Sequence, residues 1–131
     1  MKITLKQACI ESQRGVFKCR MIPYNMSNGR VHWAVKKKWN DAWYAEVLAA
    51  VMGSKEKRIF NKARILINLY KHQFFDTDGA YNAIKPVLDG LCNAGVIIDD
   101  SPKYIKLNVE QIKVEHRKDE RVEIIITDKY D

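Results

Sequence analysis

The sequence lacks the features that would place it in a membrane or a secretory pathway. It contains no run of 18 apolar residues, so we expect no membrane-spanning helix and no membrane partner. Its first residues, MKITLKQACIESQRG, have no apolar signal-peptide core, so we expect a cytoplasmic protein. Internal repeats and linkers rich in proline and glycine are also missing, which predicts one domain over residues 1–131.

Cysteine and histidine are scarce, which limits the kinds of site the chain can carry. The three cysteines are Cys9, Cys19 and Cys92, with wide spacings and no C-x-x-C motif. The three histidines form no H-x-x-x-H pair. These spacings disfavour a disulfide framework and a zinc site, and they predict buried, reduced thiols.

Acidic residues are fewer than basic ones, and the excess is positive charge. The chain has 16 Asp and Glu against 23 Lys and Arg, a formal net charge of +7. Such a balance favours a polyanionic partner, most often nucleic acid.

Hydrophobic periodicity predicts an α+β, or mixed α/β, fold. Alternating or β-branched segments indicate strands near the N-terminus and at 16–22, 63–74, 104–116 and 121–130. Helical spacing predicts helices over about 37–51 and 82–94. Residues 117–120 are predicted to join the last two strands as an antiparallel hairpin. We expect a mostly antiparallel or mixed sheet of about four to five strands with two main helices.

The first predicted helix has an apolar stripe, formed by Trp39, Trp43, Val47 and Ala50. Their spacings of four, four and three residues place them on one helix face. We therefore expect the tryptophans of this helix to lie in the core.

Carboxylates cluster in the stretch FFDTDGAYNAIKPVLDGLCNAGVIIDDS, residues 74–101. Asp76 and Asp78 are two apart, so on an extended segment they point to the same face. Asp99 and Asp100 follow a short apolar run, and one of them is predicted to face the same site. Carboxylate oxygens are the ligands that Mg²⁺ prefers, although solvated turns produce the same spacing.

A predicted helix connects the two acidic pairs. Its polar stripe consists of Asp78, Asn82, Lys85 and Asp89. Its opposite side is predicted to be buried and consists of Ala80, Ile84, Val87, Leu88 and Leu91. Because proline suits the first turn of a helix, Pro86 predicts a regular helix that starts near Tyr81 or Asn82, with residues 79–81 in a loop. Lys85 is then placed to reach a phosphate beside a metal ion.

The segment DTD…NAIKPVLDGLCNAGVIIDDS resembles the pattern of RusA-type Holliday-junction resolvases, a family of phages and prophages. Lys85, Asp89, Gly95 and Asp100 fall at the relative spacings of that family. The resemblance covers about residues 16–128. One departure is that Gly79-Ala80-Tyr81 intervene, so that Lys85 follows Asp78 by seven residues instead of four.

The resemblance implies a Mg²⁺-dependent endodeoxyribonuclease that acts on branched DNA as a symmetric homodimer, with Mn²⁺ as a candidate substitute. It would resolve four-way junctions in recombination and repair by paired phosphodiester hydrolysis. It implies that Asp76, Asp78 and Asp100 are catalytic metal ligands and that Lys85 is a catalytic lysine, with Asp99 as a further candidate ligand. The alternative is a non-catalytic branched-DNA-binding protein of the same fold whose site is altered by the insertion.

A basic segment precedes and enters the first predicted helix. Its candidate nucleic-acid-binding residues are Arg30, His32, Lys36, Lys37 and Lys38. Lysine and arginine at such positions favour contacts with DNA phosphates. The same pattern also suits a solvated basic loop, and a structural or partner-binding protein that is basic by chance stays open.

Overall fold

The computed structural model describes residues 1–12, 14–23, 32–56 and 58–128. It is a small α+β domain, as the sequence predicts. Its strands are β1 (Lys2–Leu5), β2 (Ala8–Glu11), β3 (Phe17–Arg20), β4 (Ala63–Lys71), β5 (Ile105–Lys113) and β6 (Arg121–Thr127). Its helices are α1 (Trp33–Met52), α2 (Thr77–Ala83) and α3 (Lys85–Asn93), with a 3-10 helix at Arg117–Asp119.

The main sheet is mixed, as expected, and has the strand order β1-β6-β4-β5. Strands β4 and β5 are parallel, whereas β6 runs antiparallel to both β1 and β4. The predicted hairpin between the last two strands is wrong, because β4 lies between β5 and β6. Strand β4 is buried over most of its length, and such a strand belongs in the interior of a sheet.

The helices pack against the sheet and against each other, with α1 in contact with β1 and α3, and α2 in contact with β5. Trp39, Trp43 and Val47 of α1 are buried, which confirms the predicted apolar stripe. Helix α1 starts at Trp33, four residues before the predicted Lys37. The prediction missed this first turn because its residues show no apolar periodicity. The His32 side chain caps this turn, where its Nδ1 accepts a hydrogen bond from the Ala34 N–H at 3.2 Å. No helix in the described ranges is long and apolar enough to span a membrane.

The second helical region differs from the prediction in its start. Residues 79–81, predicted to form a loop, lie inside α2, with Gly79 and Ala80 buried. The helical path breaks at Ile84, and Pro86 falls in the first turn of α3. A proline is tolerated there because the first backbone N–H groups of a helix have no intrahelical partner. Pro86 thus lies at the start of a second helix, and the first helix begins earlier than predicted.

The cysteine prediction is wrong for two of the three residues. Cys9 and Cys19 are exposed, and they form a disulfide between β2 and β3. They are directly opposite each other in the antiparallel pair, which brings two side chains within bonding reach. Cys92 is a free, half-buried thiol.

Candidate functional site

Lys85 and Asp100 are brought together by the fold. Lys85 begins α3, and its ammonium group donates a hydrogen bond to the Asp100 carboxylate. Its Nζ also lies 3.0 Å from Oδ1 of Asp89, one helical turn further on. Asp100 reaches this position because the segment after α3 turns back, where Ile97 bridges Phe60 in parallel. One ammonium group therefore lies between two carboxylates.

Asp99 and Asp100 have different roles in this arrangement. Oδ1 of Asp99 accepts a hydrogen bond from the Asp100 N–H at 2.9 Å. Asp100 is half-buried and faces Lys85, whereas Asp99 is exposed. Asp100 is thus the member of the pair that contacts Lys85.

The pKa values report the charge balance of this cluster. The hydrogen bond from Lys85 lowers the pKa of Asp100, against the opposing effect of partial burial. The same hydrogen bond raises the pKa of Lys85. Burial raises the pKa of the Cys92 thiol, and the neighbouring carboxylates of Asp100, Asp99 and Asp89 raise it further. Negative charge is thus in excess around the single ammonium group.

Asp76 and Asp78 lie at the start of α2. Asp76 is the N-cap residue by its backbone conformation, and it makes no side-chain capping hydrogen bond. Asp78 lies in the first turn, where the helix dipole favours a carboxylate. Both side chains are exposed. At about 1.5 Å of rise per residue, the seven residues from Asp78 to Lys85 correspond to about 10 Å along the helical path.

The predicted Mg²⁺ ligands are carboxylates, which match the ion in chemistry. Magnesium binds oxygen ligands at about 2.1 Å, so the carboxylates of one ion must be near neighbours. Within the part of the chain that the structure describes, no three His, Cys, Asp or Glu side chains are grouped to hold a metal ion. Asp99 and Asp100 are neighbours along the chain after α3. Asp76 and Asp78 lie at the N-terminal end of α2.

The predicted nucleic-acid-binding residues that the structure describes lie at the start of α1. His32 is exposed and caps the helix, and Lys36 is half-buried. Lys37 pairs with Asp41 at 2.8 Å, and Lys38 donates a hydrogen bond to the Glu11 carbonyl at 3.3 Å. Arg30 lies outside the described residues.

Lys36 ends the first turn of α1, and Lys37 and Lys38 lie in its second turn. The helix macrodipole disfavours cations near a helix N-terminus, and the first turn of α1 contains no acidic residue. This effect falls off within the first turn, so it bears little on Lys37 and Lys38.

The sequence analysis missed Lys71, the last residue of β4. It is only 7 % exposed. The alternation along β4 indicates that Lys71 is buried, because Lys71 is the next position on the buried face of this strand. The preceding residues of that face are Ala63, Ile65, Ile67 and Leu69. A lysine on a buried face is unusual enough to mark a position of interest.

No protein-family model matches the chain, and no curated protein matches it. The resemblance carried by residues 82–100 therefore enters the functional assignment as a proposal.

Proposed function

We propose that the protein is a Mg²⁺-dependent, structure-selective endodeoxyribonuclease that resolves four-way DNA junctions by paired, symmetric phosphodiester hydrolysis. The observation that carries the proposal is the contact between Lys85 and Asp100, two positions of the resolvase-like motif that are 15 residues apart. Partners in one chemical site must meet in space, and these two do.

The proposed roles follow the chemistry of the side chains. Asp76, Asp78, Asp99 and Asp100 would hold Mg²⁺, or Mn²⁺ in its place. When bound, the ion supplies Lewis-acid polarisation of the phosphodiester and activation of a water molecule. Lys85 would place a positive charge at the scissile phosphate, where charge develops during hydrolysis.

DNA binding is assigned to the basic start of α1. Arg30, His32, Lys36, Lys37 and Lys38 would contact phosphates and so hold the junction arms. Support comes from the three consecutive lysines near the start of α1, close to the exposed His32.

A symmetric substrate favours a symmetric enzyme. A four-way junction needs two matched cuts, and a C₂ homodimer presents two identical sites at a fixed separation. We therefore propose a homodimer, which sedimentation at micromolar concentration tests. Paired cutting by a species that stays monomeric would contradict it.

The deciding experiment is cleavage of an end-labelled synthetic junction by the wild type and by Asp100→Asn. We expect paired, symmetric nicks with Mg²⁺, none in EDTA, and cleavage at least about a hundredfold slower in the variant. Glu46→Gln is the matched control, because it makes the same change at an exposed position of α1. Junction binding by Asp100→Asn should stay near the wild-type level.

A second candidate is a non-catalytic branched-DNA-binding protein. The insertion of Gly79, Ala80 and Tyr81, which moves Asp78 away from the spacing of the resolvase pattern, favours it. It predicts that the wild type binds the junction but never cuts it, with Mg²⁺ or with Mn²⁺. A wild type with no junction affinity would exclude both candidates.

A further inference from the structure

A basic cleft lies at the C-terminal end of β4 and, through Arg20, adjoins the groove beside the start of α1. It has a volume of about 500 Å³ and is bordered by the end of β3 and by the 3-10 helix. Its basic lining residues are Arg20, Lys71, His72, Arg117 and Lys118. Among the described residues that line it, Glu120 is the one carboxylate. The cleft is large enough for a nucleotide-sized ligand.

Lys71 forms the inner part of this cleft. Its Nζ lies 2.9 Å from the centroid of the Phe75 ring, so an aromatic face takes the place of water on one side of the ammonium group. Burial lowers the pKa of Lys71 to about 8, and the charge of Arg20 acts in the same direction. The carboxylate of Glu120 opposes these effects without cancelling them.

Glu120 is already engaged by another group. Its Oε2 accepts a hydrogen bond from the His72 N–H at 3.0 Å. Lys71, Arg117 and Lys118 thus share one lining carboxylate, which is partly committed to the backbone. A buried positive charge with so little countercharge is unfavourable, and a bound anion would supply what is missing.

Arg117 and Lys118 stand at the exposed rim of the cleft. Neither side chain forms an ion pair with the described residues, whereas the nearby Arg121 guanidinium lies 3.8 Å from the centre of the Tyr70 ring and 3.6 Å from Glu123. The rim cations are therefore available to an incoming ligand.

We propose that this cleft binds the phosphate groups of a nucleic-acid strand, with Lys71 at its floor and Arg117 and Lys118 at its rim. The proposal rests on the DNA substrate proposed above and extends its contact surface from the start of α1 to the end of β4. Phe75 links the cleft to the acidic positions, because Asp76 follows it directly. Two hydrogen bonds with the Gln111 side chain, of 2.7 and 2.9 Å, hold the Phe75 backbone in place.

The direct test follows Lys71 itself. Protein with ¹³C-labelled lysine is titrated by NMR with and without a five-residue oligothymidylate, in EDTA. A phosphate beside the ammonium group favours its charged form, so we expect the pKa of Lys71 to rise by about one pH unit on saturation. An oligonucleotide that does not bind, or that binds without moving the Lys71 resonance, overturns the proposal.

Variants at the rim provide the second test, since they are exposed and should fold. The double variant Arg117→Gln with Lys118→Gln should weaken oligothymidylate binding about tenfold and reduce the salt slope by about 1.4, two phosphates at about 0.7 each. Lys55→Gln with Lys62→Gln removes the same charge beyond the opposite end of β4. Equal weakening by both pairs would mean a general charge effect and would overturn the assignment.

Two further experiments are needed. One distinguishes a nucleic-acid strand from a small anion as the ligand, and the other separates failure of the cleft proposal from failure of the nuclease proposal. An equal response of Lys71 to inorganic phosphate at the same concentration would indicate a small-anion site and overturn strand binding. Junction cleavage is measured separately on the same proteins. Cleavage without a Lys71 response would retain the nuclease and reject the cleft. A Lys71 response without cleavage would retain the cleft and favour the non-catalytic binder.

Discussion

The ammonium group of Lys85 donates a hydrogen bond to the carboxylate of Asp100, although the two residues are 15 positions apart. The contact joins the first residue of α3 to the turn that precedes β5. The Lys85 and Asp100 side chains are 59 % and 28 % exposed, so the pair stabilises the fold by less than about 1 kcal/mol. Its main effect is on the charge of the site.

Replacing Lys85 with Met should raise the pKa of Asp100. The hydrogen bond that lowers this pKa would be lost, while partial burial would remain. A lowered folded-state pKa stabilises the protein above the unfolded value of about 3.9, and this contribution is lost as pH falls through the folded pKa. The variant should lack this small acid-dependent contribution.

The measurement is a ¹³C carboxyl NMR titration of Asp100 in metal-free buffer. Lys37→Met is the control, because it removes another exposed lysine–aspartate pair and should leave Asp100 unchanged. An Asp100 pKa that is the same in Lys85→Met and wild type would contradict the assignment.

Burial of Lys71 predicts that stability rises with pH. Its pKa is about 8 in the folded protein, against about 10.4 for an unperturbed lysine. Between these values the unfolded chain binds more protons, so the free energy of unfolding increases with pH, by up to about 3 kcal/mol. The test is urea unfolding of wild type and Lys71→Met from pH 7 to 10. The difference in the free energy of unfolding between wild type and Lys71→Met should change between pH 7 and 10. A constant difference would contradict the predicted effect of Lys71 burial.

The contact between α1 and α3 predicts that Gly90→Ala is destabilising. A Cβ at Gly90 would lie 2.8 Å from Cβ of Val47, and a backbone-anchored atom has no room to swing away. We expect a loss of about 1–3 kcal/mol in the free energy of unfolding, measured by denaturant titration. In a double-mutant cycle, Val47→Gly should recover part of the loss because it removes the obstructing atom. Strict additivity of the two changes would argue against the clash.

The β2–β3 disulfide predicts a specific pattern of thiol reactivity. Only one of the three cysteines, Cys92, should be a thiol before reduction, and all three should be thiols after reduction in denaturant. The double variant Cys9→Ser with Cys19→Ser should lose about 2–3 kcal/mol, because the crosslink restricts the unfolded chain. Cys92→Ser retains the disulfide and is the control. Three reactive thiols in native, unreduced protein would contradict the bond.

Local patterns in the sequence predicted those parts of the fold that depend on local contacts. The four-residue spacing of Trp39, Trp43 and Val47 predicted the buried face of α1, because helical periodicity itself selects that face. The predicted polar stripe is likewise exposed at Asp78, Asn82, Lys85 and Asp89. The start of α1 was not predicted, because the residues that follow the His32 cap show no apolar periodicity.

Only the tertiary structure decided which distant residues meet. The position of β4 between β5 and β6, the disulfide between β2 and β3, and the burial of Lys71 all depend on strand pairing and packing. The motif spacing pointed to Lys85 and Asp100, but their contact requires the chain to return past Phe60 before β5. By itself, then, the sequence determined the kinds of elements and the faces of its helices, because these follow from neighbours along the chain. The pairing of strands and the grouping of charges were decided by contacts across the fold, which local periodicity does not encode.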